Sequence, residues 1–246
     1  MSDGGEPDDL WALRRLAHAE RLRAWMFSLL RPTSPGPAAE IGAGIGTFSE
    51  LLLGAGASPL LLIEPEPICV SELERRFAGD PRVHVAAETL PDSPALEAES
   101  GRLSYVLCQN VLEHIEDDEA ALAAVAAALA PGGEVALLVP AHPFLFGRLD
   151  RRFGHHRRYT RGRVRHIVAA AGLELVRLRS FNLLGVPGWW VAGHTELLDI
   201  SDRSLRVYEA LVPVARPLEE ALRPRLGLSL VARARRPPGF GVEPAE

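Results

Sequence analysis

The sequence contains no lysine, and all 27 of its basic residues are arginine. This absence excludes a lysine general base and a lysine Schiff base, and it makes every fixed cation a guanidinium suited to carboxylate or phosphate. Alanine, glycine and proline are abundant alongside arginine, a composition expected from GC-rich coding DNA. The missing lysine therefore limits the chemistry without by itself indicating a function.

Cysteine is scarce, and long apolar runs and metal-ligand spacings are missing. Cys69 and Cys108 lie inside a predicted helix and a predicted strand, which indicates buried thiols in a reducing compartment. No apolar run approaches the roughly 18 residues that span a bilayer, and the acidic N-terminus does not resemble a signal peptide. We therefore expect no metal site, no membrane span and a cytoplasmic location.

Size and charge indicate a globular α/β protein. The 246 residues fit one domain with additions, large enough for a substantial core. Charged residues make up 24% and the net charge is −5, so nothing in the overall composition indicates a nucleic-acid partner.

The most informative segment is a buried strand that runs into a glycine-rich turn, residues 38–46, followed by a predicted helix at 47–53. Glycines at alternate positions tolerate φ > 0 and let the backbone approach a ligand, and the helix that follows offers unpaired N–H groups there. A second apolar run, residues 60–63, ends in Glu64, whose carboxylate can accept hydrogen bonds from both hydroxyls of a ribose. Together the two segments predict a nucleoside cofactor across the carboxyl ends of neighbouring parallel strands.

The glycine spacing differs from that of dinucleotide-binding proteins. Their fingerprint is G-x-G-x-x-G, whereas here the third glycine comes one residue earlier and Glu40 precedes the first by two. The segment resembles motif I of the class I S-adenosylmethionine methyltransferases, E/D-x-G-x-G-x-G. Residues 109–117, with the sequence QNVLEHIED, resemble the signature that follows the family's fourth strand, and the Pro-Gly-Gly turn at 131–133 is typical before its fifth. The resemblance covers residues 10–182 well and the remainder loosely.

The resemblance implies S-adenosylmethionine as the cofactor and a set of contacts to it. It places Glu64 on the ribose hydroxyls and Glu88, where many relatives carry aspartate, beside the adenine. The other implied cofactor-binding residues are Glu40 at the methionine amino end, Gly42, Gly44 and Gly46 at the methionine and ribose, Ala87 at the adenine, and Gln109 and Asn110 along the methionine.

Strands alternate with helices, which predicts a Rossmann-like, doubly wound α/β sheet. The family resemblance implies seven strands in the order 3-2-1-4-5-7-6, with the last strand antiparallel. A helix over 118–130 is expected to end at the Pro-Gly-Gly turn, with strand five over 134–139. The predicted organisation is an N-terminal helical cap and linker at 1–37, a cofactor-binding domain at 38–236 with a helical cap insertion at 183–223, and a tail at 237–246.

The segment after strand five, residues 140–160, is expected to overhang the acceptor pocket. Eight arginines and a single acid, Asp150, lie between Arg148 and Arg165. Three interpretations remain open. The arginines could bind an anionic acceptor beside a histidine base, they could cap helix ends in a solvated loop with Asp150 paired to one of them, or they could form a patch for nucleic acid or a membrane surface.

Histidine is suited to proton transfer near neutral pH. We favour His142 as the catalytic base because it lies three residues after the predicted end of strand five; His155 and then Tyr159 are the further candidates. For the Glu113–His114 pair we favour a structural role, in which it ties its loop to neighbouring segments.

The predicted function is methyl transfer to an oxygen or nitrogen atom of a small anionic or phenolic metabolite. The alternatives are a methyltransferase that acts on RNA or protein and a non-catalytic protein that binds S-adenosylmethionine. Residues 109–112 read Gln-Asn-Val-Leu where enzymes that methylate exocyclic amines of nucleobases carry an Asn-Pro-Pro-Tyr-type tetrapeptide, so a nucleic-acid acceptor is not favoured.

Overall fold

A seven-stranded sheet forms the centre of the protein, which is described as a computed structural model over residues 8–195 and 202–238. The strand order is β3-β2-β1-β4-β5-β7-β6. β7 runs antiparallel to β5 and β6, and the other neighbouring strands run parallel. The predicted fold class is confirmed. The strands are β1 Gly36–Ile41, β2 Ala57–Ile63, β3 Val83–Ala86, β4 Leu103–Gln109, β5 Leu129–Pro140, β6 Glu174–Phe181 and β7 Ser229–Arg235.

Ten helices in the described ranges surround the sheet, and two short 3₁₀ turns lie at Leu112–His114 and Pro143–Leu145. The helices are α1 Asp8–His18, α2 Glu20–Leu30, α3 Ser49–Gly54, α4 Pro67–Arg76, α5 Pro94–Ala98, α6 Asp118–Ala128, α7 Arg148–Arg152, α8 Arg161–Ala170, α9 Gly185–His194 and α10 Asp202–Leu222. No helix in the part of the chain that the structure describes is long and apolar enough to cross a membrane.

The strands contribute apolar side chains to both faces of the sheet. In β4, Val106 and Cys108 join the core that α6 and α8 cover, whereas Tyr105 and Leu107 join the core on the other face. Strands buried on both faces read as nearly continuous apolar runs, because helices cover each side. The two cysteines are buried free thiols.

Helices α2 and α10 pack on the same face of the sheet and contact each other. The Glu209 carboxylate of α10 accepts hydrogen bonds from the main-chain N–H groups of Arg21 and Leu22, at 2.8 and 2.9 Å. These groups belong to the first turn of α2, where no intrahelical partner exists. Trp25 of α2 packs edge-on against Phe181, with ring centroids 4.8 Å apart.

Two local predictions are corrected by the structure. β5 begins at Leu129 rather than at residue 134, and α6 ends at Ala128. The Pro-Gly-Gly segment is part of β5 because it pairs beyond the end of β7: Gly132 N donates to the Arg236 carbonyl, and Arg236 N donates to the Gly133 carbonyl, both at 2.9 Å. The pairing of β5 with β4 shifts register across this segment, and Gly132 takes φ +82°.

Further along the chain, the segment between β5 and α8 contains the short helix α7. Of the predicted terminal regions, residues 1–7 of the cap and 239–246 of the tail lie outside the described residues, as do residues 196–201 of the insertion.

Candidate functional site

A cavity of about 690 Å³ lies at the carboxyl ends of the central parallel strands, where open α/β sheets bind ligands. We call one part of its wall the donor end, formed by the glycine turn and the polar residues that follow β1 to β4. We call the opposite part the acceptor end, formed by the segments after β4, β5 and β6. The donor end includes Glu40, Gly42, Gly44, Glu64, Glu88, Gln109 and Asn110, and the acceptor end includes His114, Phe153, His155, Arg158, Asn182 and Trp189.

The glycine turn is built from left-handed backbone. Gly42, Gly44 and Gly46 have φ values of +70°, +55° and +81°, which residues other than glycine rarely adopt. A Cβ on Gly42 would overlap the side chain of Val111. A Cβ on Gly46 would lie 2.8 Å from the Phe77 ring, and Gly46 is not among the lining residues, so it allows the turn to pack on α4 rather than touching the cavity.

Two buried carboxyl groups hold the donor end together. Glu64 accepts hydrogen bonds from the main-chain N–H groups of Gly44 at 2.8 Å and of Glu66 at 3.0 Å. Glu40 accepts a hydrogen bond from Ser49 Oγ at 2.5 Å. Burial raises the pKa of Glu40 to about 8, although the Ser49 hydrogen bond opposes the shift, and the nearby Glu64 raises it further. A buried carboxyl group in a cavity wall fits the ammonium group of a ligand, which would stabilise its ionised form.

The remaining predicted cofactor residues have different positions. Glu88 Oε2 accepts hydrogen bonds from Ser93 Oγ at 2.6 Å and from Ala95 N at 3.0 Å, so this side chain caps α5 while it lines the cavity. Ala87 is not among the lining residues. Gln109 Oε1 is buried without a hydrogen-bond partner in the described residues, which fits a donor group on a bound ligand.

One buried acid, Asp150, organises the acceptor end. Its carboxylate accepts hydrogen bonds from Arg158 Nε at 2.7 Å and from Gly147 N at 2.9 Å, and it lies 2.9 Å from His155 Nδ1. Burial acts to raise the pKa of Asp150, but the His155 hydrogen bond and the Arg158 charge outweigh it and hold the pKa below its usual value. Asp150 is therefore ionised at neutral pH, and we assign the His155 Nδ1 proton to this contact, so Nε2 is the ring nitrogen that Asp150 does not engage.

The three candidate bases occupy different environments. His155 lines the cavity, whereas His142 and Tyr159 do not. Tyr159 is fully buried and its hydroxyl donates to Asp118 Oδ2 at 2.9 Å, while burial raises its pKa far above the usual value. This environment is at odds with proton transfer by Tyr159, because its oxygen is enclosed in the core.

His142 lies outside the cavity wall for a backbone reason. It takes φ +62°, and its main-chain N–H donates to the Tyr159 carbonyl at 2.9 Å, which turns the chain away from the end of β5. Burial and the charges of Arg158 and Arg161 lower the pKa of His142. Of the three candidates, His155 is the one that lines the cavity.

Several arginines of the 148–165 segment bind main-chain carbonyls, as the structural interpretation expects. Arg148 donates to the Ala192 carbonyl near the end of α9, Arg157 to that of Glu116 and Arg161 to that of Leu178. Arg158 differs, since it pairs with Asp150 inside the protein and its guanidinium lies 4.9 Å from the centroid of the Trp189 ring in the cavity wall. The arginine excess is therefore mostly used in holding segments together.

Sequence reasoning missed the isolation of the Glu113 carboxyl group. Glu113 is fully buried, neither of its oxygens has a hydrogen-bond partner among the described residues, and burial raises its pKa to about 8. The main-chain N–H of Glu113 acts against this rise in the pKa of the carboxyl group, but it is not aligned for a hydrogen bond with either oxygen. The loop is tied instead by the main chain, through a 2.7 Å hydrogen bond from His156 N to the Glu113 carbonyl. No signal in the sequence distinguished a loop tied by the Glu113 side chain from a loop tied by its main chain.

Comparison with known proteins agrees with this geometry. The profile of a methyltransferase-domain family matches residues 13–178. No curated protein matches the chain. Among solved structures, an S-adenosylmethionine-dependent methyltransferase from Mesorhizobium loti is 17% identical with a TM-score of 0.61, and the match covers 90% of this chain and 100% of that one.

Two further solved structures share the fold. Geranyl diphosphate C-methyltransferase from Streptomyces coelicolor, solved with Mg²⁺, geranyl diphosphate and S-adenosyl-L-homocysteine, is 12% identical with a TM-score of 0.65, covering 96% of this chain and 86% of that one. A Haloferax volcanii methyltransferase in complex with the Trm112 methyltransferase activator is 15% identical with a TM-score of 0.63, covering 94% and 96%.

The family profile spans more than half of the chain and includes the glycine turn, Glu64 and the segment after β4. The sheet order is the one that the family resemblance implied. The chain belongs to the methyltransferase-domain family and is a class I S-adenosylmethionine-dependent methyltransferase.

Proposed function

We propose that the enzyme methylates an oxygen or nitrogen atom of a small anionic or phenolic metabolite. The observation that carries this proposal is the contact between His155 and Asp150 in the wall of the cavity. A phenol or an ammonium group must lose a proton to become a nucleophile, and an imidazole held by a carboxylate is suited to accept it. The guanidinium of Arg158 lies in the same wall, where it pairs with Asp150, and we expect its remaining N–H groups to bind an anionic group of the acceptor.

At the donor end, we expect Glu40 to bind the methionine ammonium group and Glu64 the ribose hydroxyls. The main chain of Gly42 and Gly44 would lie along the ligand. Bound S-adenosylmethionine supplies an electrophilic methyl carbon, so the residues of the chain act mainly by positioning and by excluding water. Proximity of this kind contributes about 7–11 kcal/mol in well-oriented reactions.

The remaining donor-end residues would contact the adenine and the methionine. Since Glu88 Oε2 is already used in capping α5, its adenine contact would use Oε1. Ala87 would contribute through its main chain, and Gln109 and Asn110 would lie along the methionine. Asn110 takes φ +51°, which directs the chain away from the sheet at this point.

At the acceptor end, His155 Nε2 would take the proton of the acceptor while Asp150 stabilises the resulting imidazolium. Phe153 and Trp189, whose ring centroids lie 6.5 Å apart, provide apolar surface for an aromatic or aliphatic acceptor. Such a wall binds the body of the metabolite and excludes water from the reacting atoms.

The test is turnover of S-adenosylmethionine to S-adenosylhomocysteine with a panel of phenols, carboxylates, phosphate esters and amines. With an active acceptor in hand, we expect His155→Ala to lower kcat by about 10²–10⁴-fold and to leave S-adenosylhomocysteine affinity unchanged. His142→Ala and Tyr159→Phe should lower kcat less. A larger loss in His142→Ala than in His155→Ala would return the base role to His142.

The two alternatives predict different results in the same assay. A methyltransferase that acts on RNA or protein would turn over with those macromolecules and not with the panel. A non-catalytic protein would bind S-adenosylhomocysteine without turnover of S-adenosylmethionine under any condition. The small-metabolite proposal fails if either pattern is found.

A further inference from the structure

We propose that Glu113, His114 and His155 form a binding site for a divalent transition-metal ion at the acceptor end of the cavity. Each residue offers one potential ligand atom, and these atoms all lie within 4.8 Å of one another. His114 and His155 line the cavity, so an ion held here would face the bound metabolite. The spacing of these residues along the chain does not indicate a metal site, and the proposal opposes the sequence-based expectation of none.

Two segments separated along the chain meet to form this cluster. Glu113 and His114 belong to the 3₁₀ turn after β4, and His155 follows α7. The hydrogen bond from His156 N to the Glu113 carbonyl joins the two segments directly. The rings of His114 and His155 lie edge to face, with centroids 4.8 Å apart and an interplanar angle of 85°. The cluster is thus held by the main chain on both sides.

The Glu113 carboxyl group supplies the second observation. It is fully buried, and neither oxygen has a hydrogen-bond partner among the described residues, although buried carboxyl groups are normally paired. An unpaired buried acid destabilises a fold unless a partner compensates for its lost hydration. A cation between Glu113 and the two histidines would supply that partner.

His155 is oriented as metal-binding histidines usually are. Ligand imidazoles commonly donate their second ring nitrogen to a carboxylate, which fixes the ring and its tautomer. Here Nδ1 of His155 lies 2.9 Å from Asp150 Oδ1, so Nε2 is the nitrogen that remains for an ion. Asp150 is itself held by Gly147 N and Arg158, which makes the orientation of the ring rigid.

Charged groups lie beside the cluster. They are the Asp150 carboxylate and the Arg158 guanidinium, whose side chains are 0% and 1% exposed, so their charges are poorly screened by water. Because these two groups pair with each other, the Glu113 carboxyl group is left without a paired cation among the described residues, and an ion between it and the two histidines would supply one.

The ligand types select the class of ion. Two imidazoles and one carboxylate suit Zn²⁺, Mn²⁺, Fe²⁺ or Co²⁺, whereas Ca²⁺ and Mg²⁺ prefer oxygen ligands alone. An ion equidistant from three atoms 4.8 Å apart would lie roughly 2.8 Å from each, so bonds of about 2.0–2.2 Å require the three side chains to rotate towards the ion. Three protein ligands leave coordination positions open towards the cavity.

The consequence for the substrate rests on the proposed function. An oxygen atom of the acceptor would occupy an open position, and a bound ion lowers the pKa of a hydroxyl group that it contacts. The acceptor class is then one that presents a ligating oxygen, such as a phenol with a neighbouring oxygen substituent or a hydroxy acid. With an ion bound, His155 would be a ligand in place of the base proposed above, and the acceptor hydroxyl would lose its proton to solvent because the ion lowers its pKa.

The test uses the full chain without a histidine tag, stripped with a chelator and titrated calorimetrically with Zn²⁺, Mn²⁺ and Co²⁺. We expect one ion of at least one of these metals per chain, and visible absorption bands with Co²⁺. Glu113→Gln, His114→Ala and His155→Ala should each weaken binding by more than about 100-fold, since loss of an outer-shell partner alone costs roughly 10–100-fold. His156→Ala should bind as the wild type does.

His156 is the matched control because its side chain is exposed, its neighbour is a proposed ligand, and its main-chain hydrogen bond survives the substitution. Thermal unfolding of each stripped variant checks the fold, and His114→Ala, at an exposed position, keeps the test valid if a buried variant does not fold. Absence of binding by all three metals would overturn the proposal, as would equal weakening by His156→Ala. Neither acceptor nor cofactor is needed, so this test can fail while methyl transfer to a small metabolite stands.

Discussion

The donor end of the cavity is held by hydrogen bonds between residues at most 20 positions apart, whereas the acceptor end joins segments more than 40 positions apart. Glu40 and Ser49 are 9 residues apart, and Gly44 and Glu64 are 20 apart. At the acceptor end, His156 N reaches the Glu113 carbonyl over 43 residues and Arg148 reaches the Ala192 carbonyl over 44, while Asp150 accepts several hydrogen bonds from its own segment. A site built from adjacent strand ends is set by the sheet, but a site built around one buried acid depends on that acid.

The largest expected effect is at the acceptor end, in Asp150→Ala. The substitution leaves the buried Arg158 without its partner, and breaking a buried ion pair in this way costs about 3–5 kcal/mol of unfolding free energy. Chemical denaturation measures the loss. Asp80→Ala, which removes an exposed partner of Arg82, is the control and should unfold near the wild-type midpoint. Equal stability of the two variants would show that Asp150 does not organise this end.

At the donor end we expect Gly44→Val to abolish S-adenosylhomocysteine binding. The residue would be forced into φ +55° with its Cβ 3.0 Å from the Leu13 side chain, and the added methyl groups would enter the cavity. Calorimetric titration measures binding. Gly79→Val is the matched control, because Gly79 has φ +77° and open space around it. Gly79→Val should lose a similar amount of stability and keep full affinity for S-adenosylhomocysteine. Wild-type affinity in Gly44→Val would contradict the position assigned to the ligand.

A smaller effect is expected from Glu64→Ala. Removing this carboxylate deletes its hydrogen bond to Gly44 N and the charge-assisted contacts expected with ribose, which are worth about 1.5–3 kcal/mol of binding free energy. Affinity for S-adenosylhomocysteine should fall accordingly while the protein stays folded. Glu72→Ala, at an exposed ion pair on α4, serves as the comparison and should leave affinity unchanged.

The last prediction concerns a pH dependence from Glu40. Its pKa is raised from 4.5 to about 8, so the folded chain keeps a proton there that the unfolded chain loses above 4.5. The stability contributed by this group is present below pH 4.5 and is lost as the pH rises through about 8.

Cofactor affinity should depend on the same proton of Glu40, but it should rise with pH over the range in which stability falls. If the ligand ammonium binds ionised Glu40, binding releases a proton, and affinity rises with pH up to about 8, by at most about tenfold per pH unit. Calorimetry of S-adenosylhomocysteine binding in buffers of different ionisation enthalpy measures the release. In Glu40→Gln the proton release should vanish, and a pH-independent wild type would contradict the raised pKa.

Much of the fold could be predicted because its signals are local. Strands buried on both faces read as apolar runs, and glycine at alternate positions after β1 reports left-handed backbone directly. β5 was predicted too short because its first residues gain their partners from Arg236, about a hundred positions later in the chain. Local sequence preferences predict a turn for the Pro-Gly-Gly segment, but here its main chain pairs with Arg236 and becomes part of the strand.

The sequence by itself determined the donor end, since consecutive motif residues on parallel strands must meet at one edge of the sheet. The tertiary structure decided the acceptor end. His142, with its positive φ, lies outside the cavity wall, and the Tyr159 hydroxyl is buried against Asp118. His155 lies beside Glu113 and His114. None of these contacts follows a helical or strand period, because they arise where two loops meet, and only the packing of the whole chain sets which side chains face each other there.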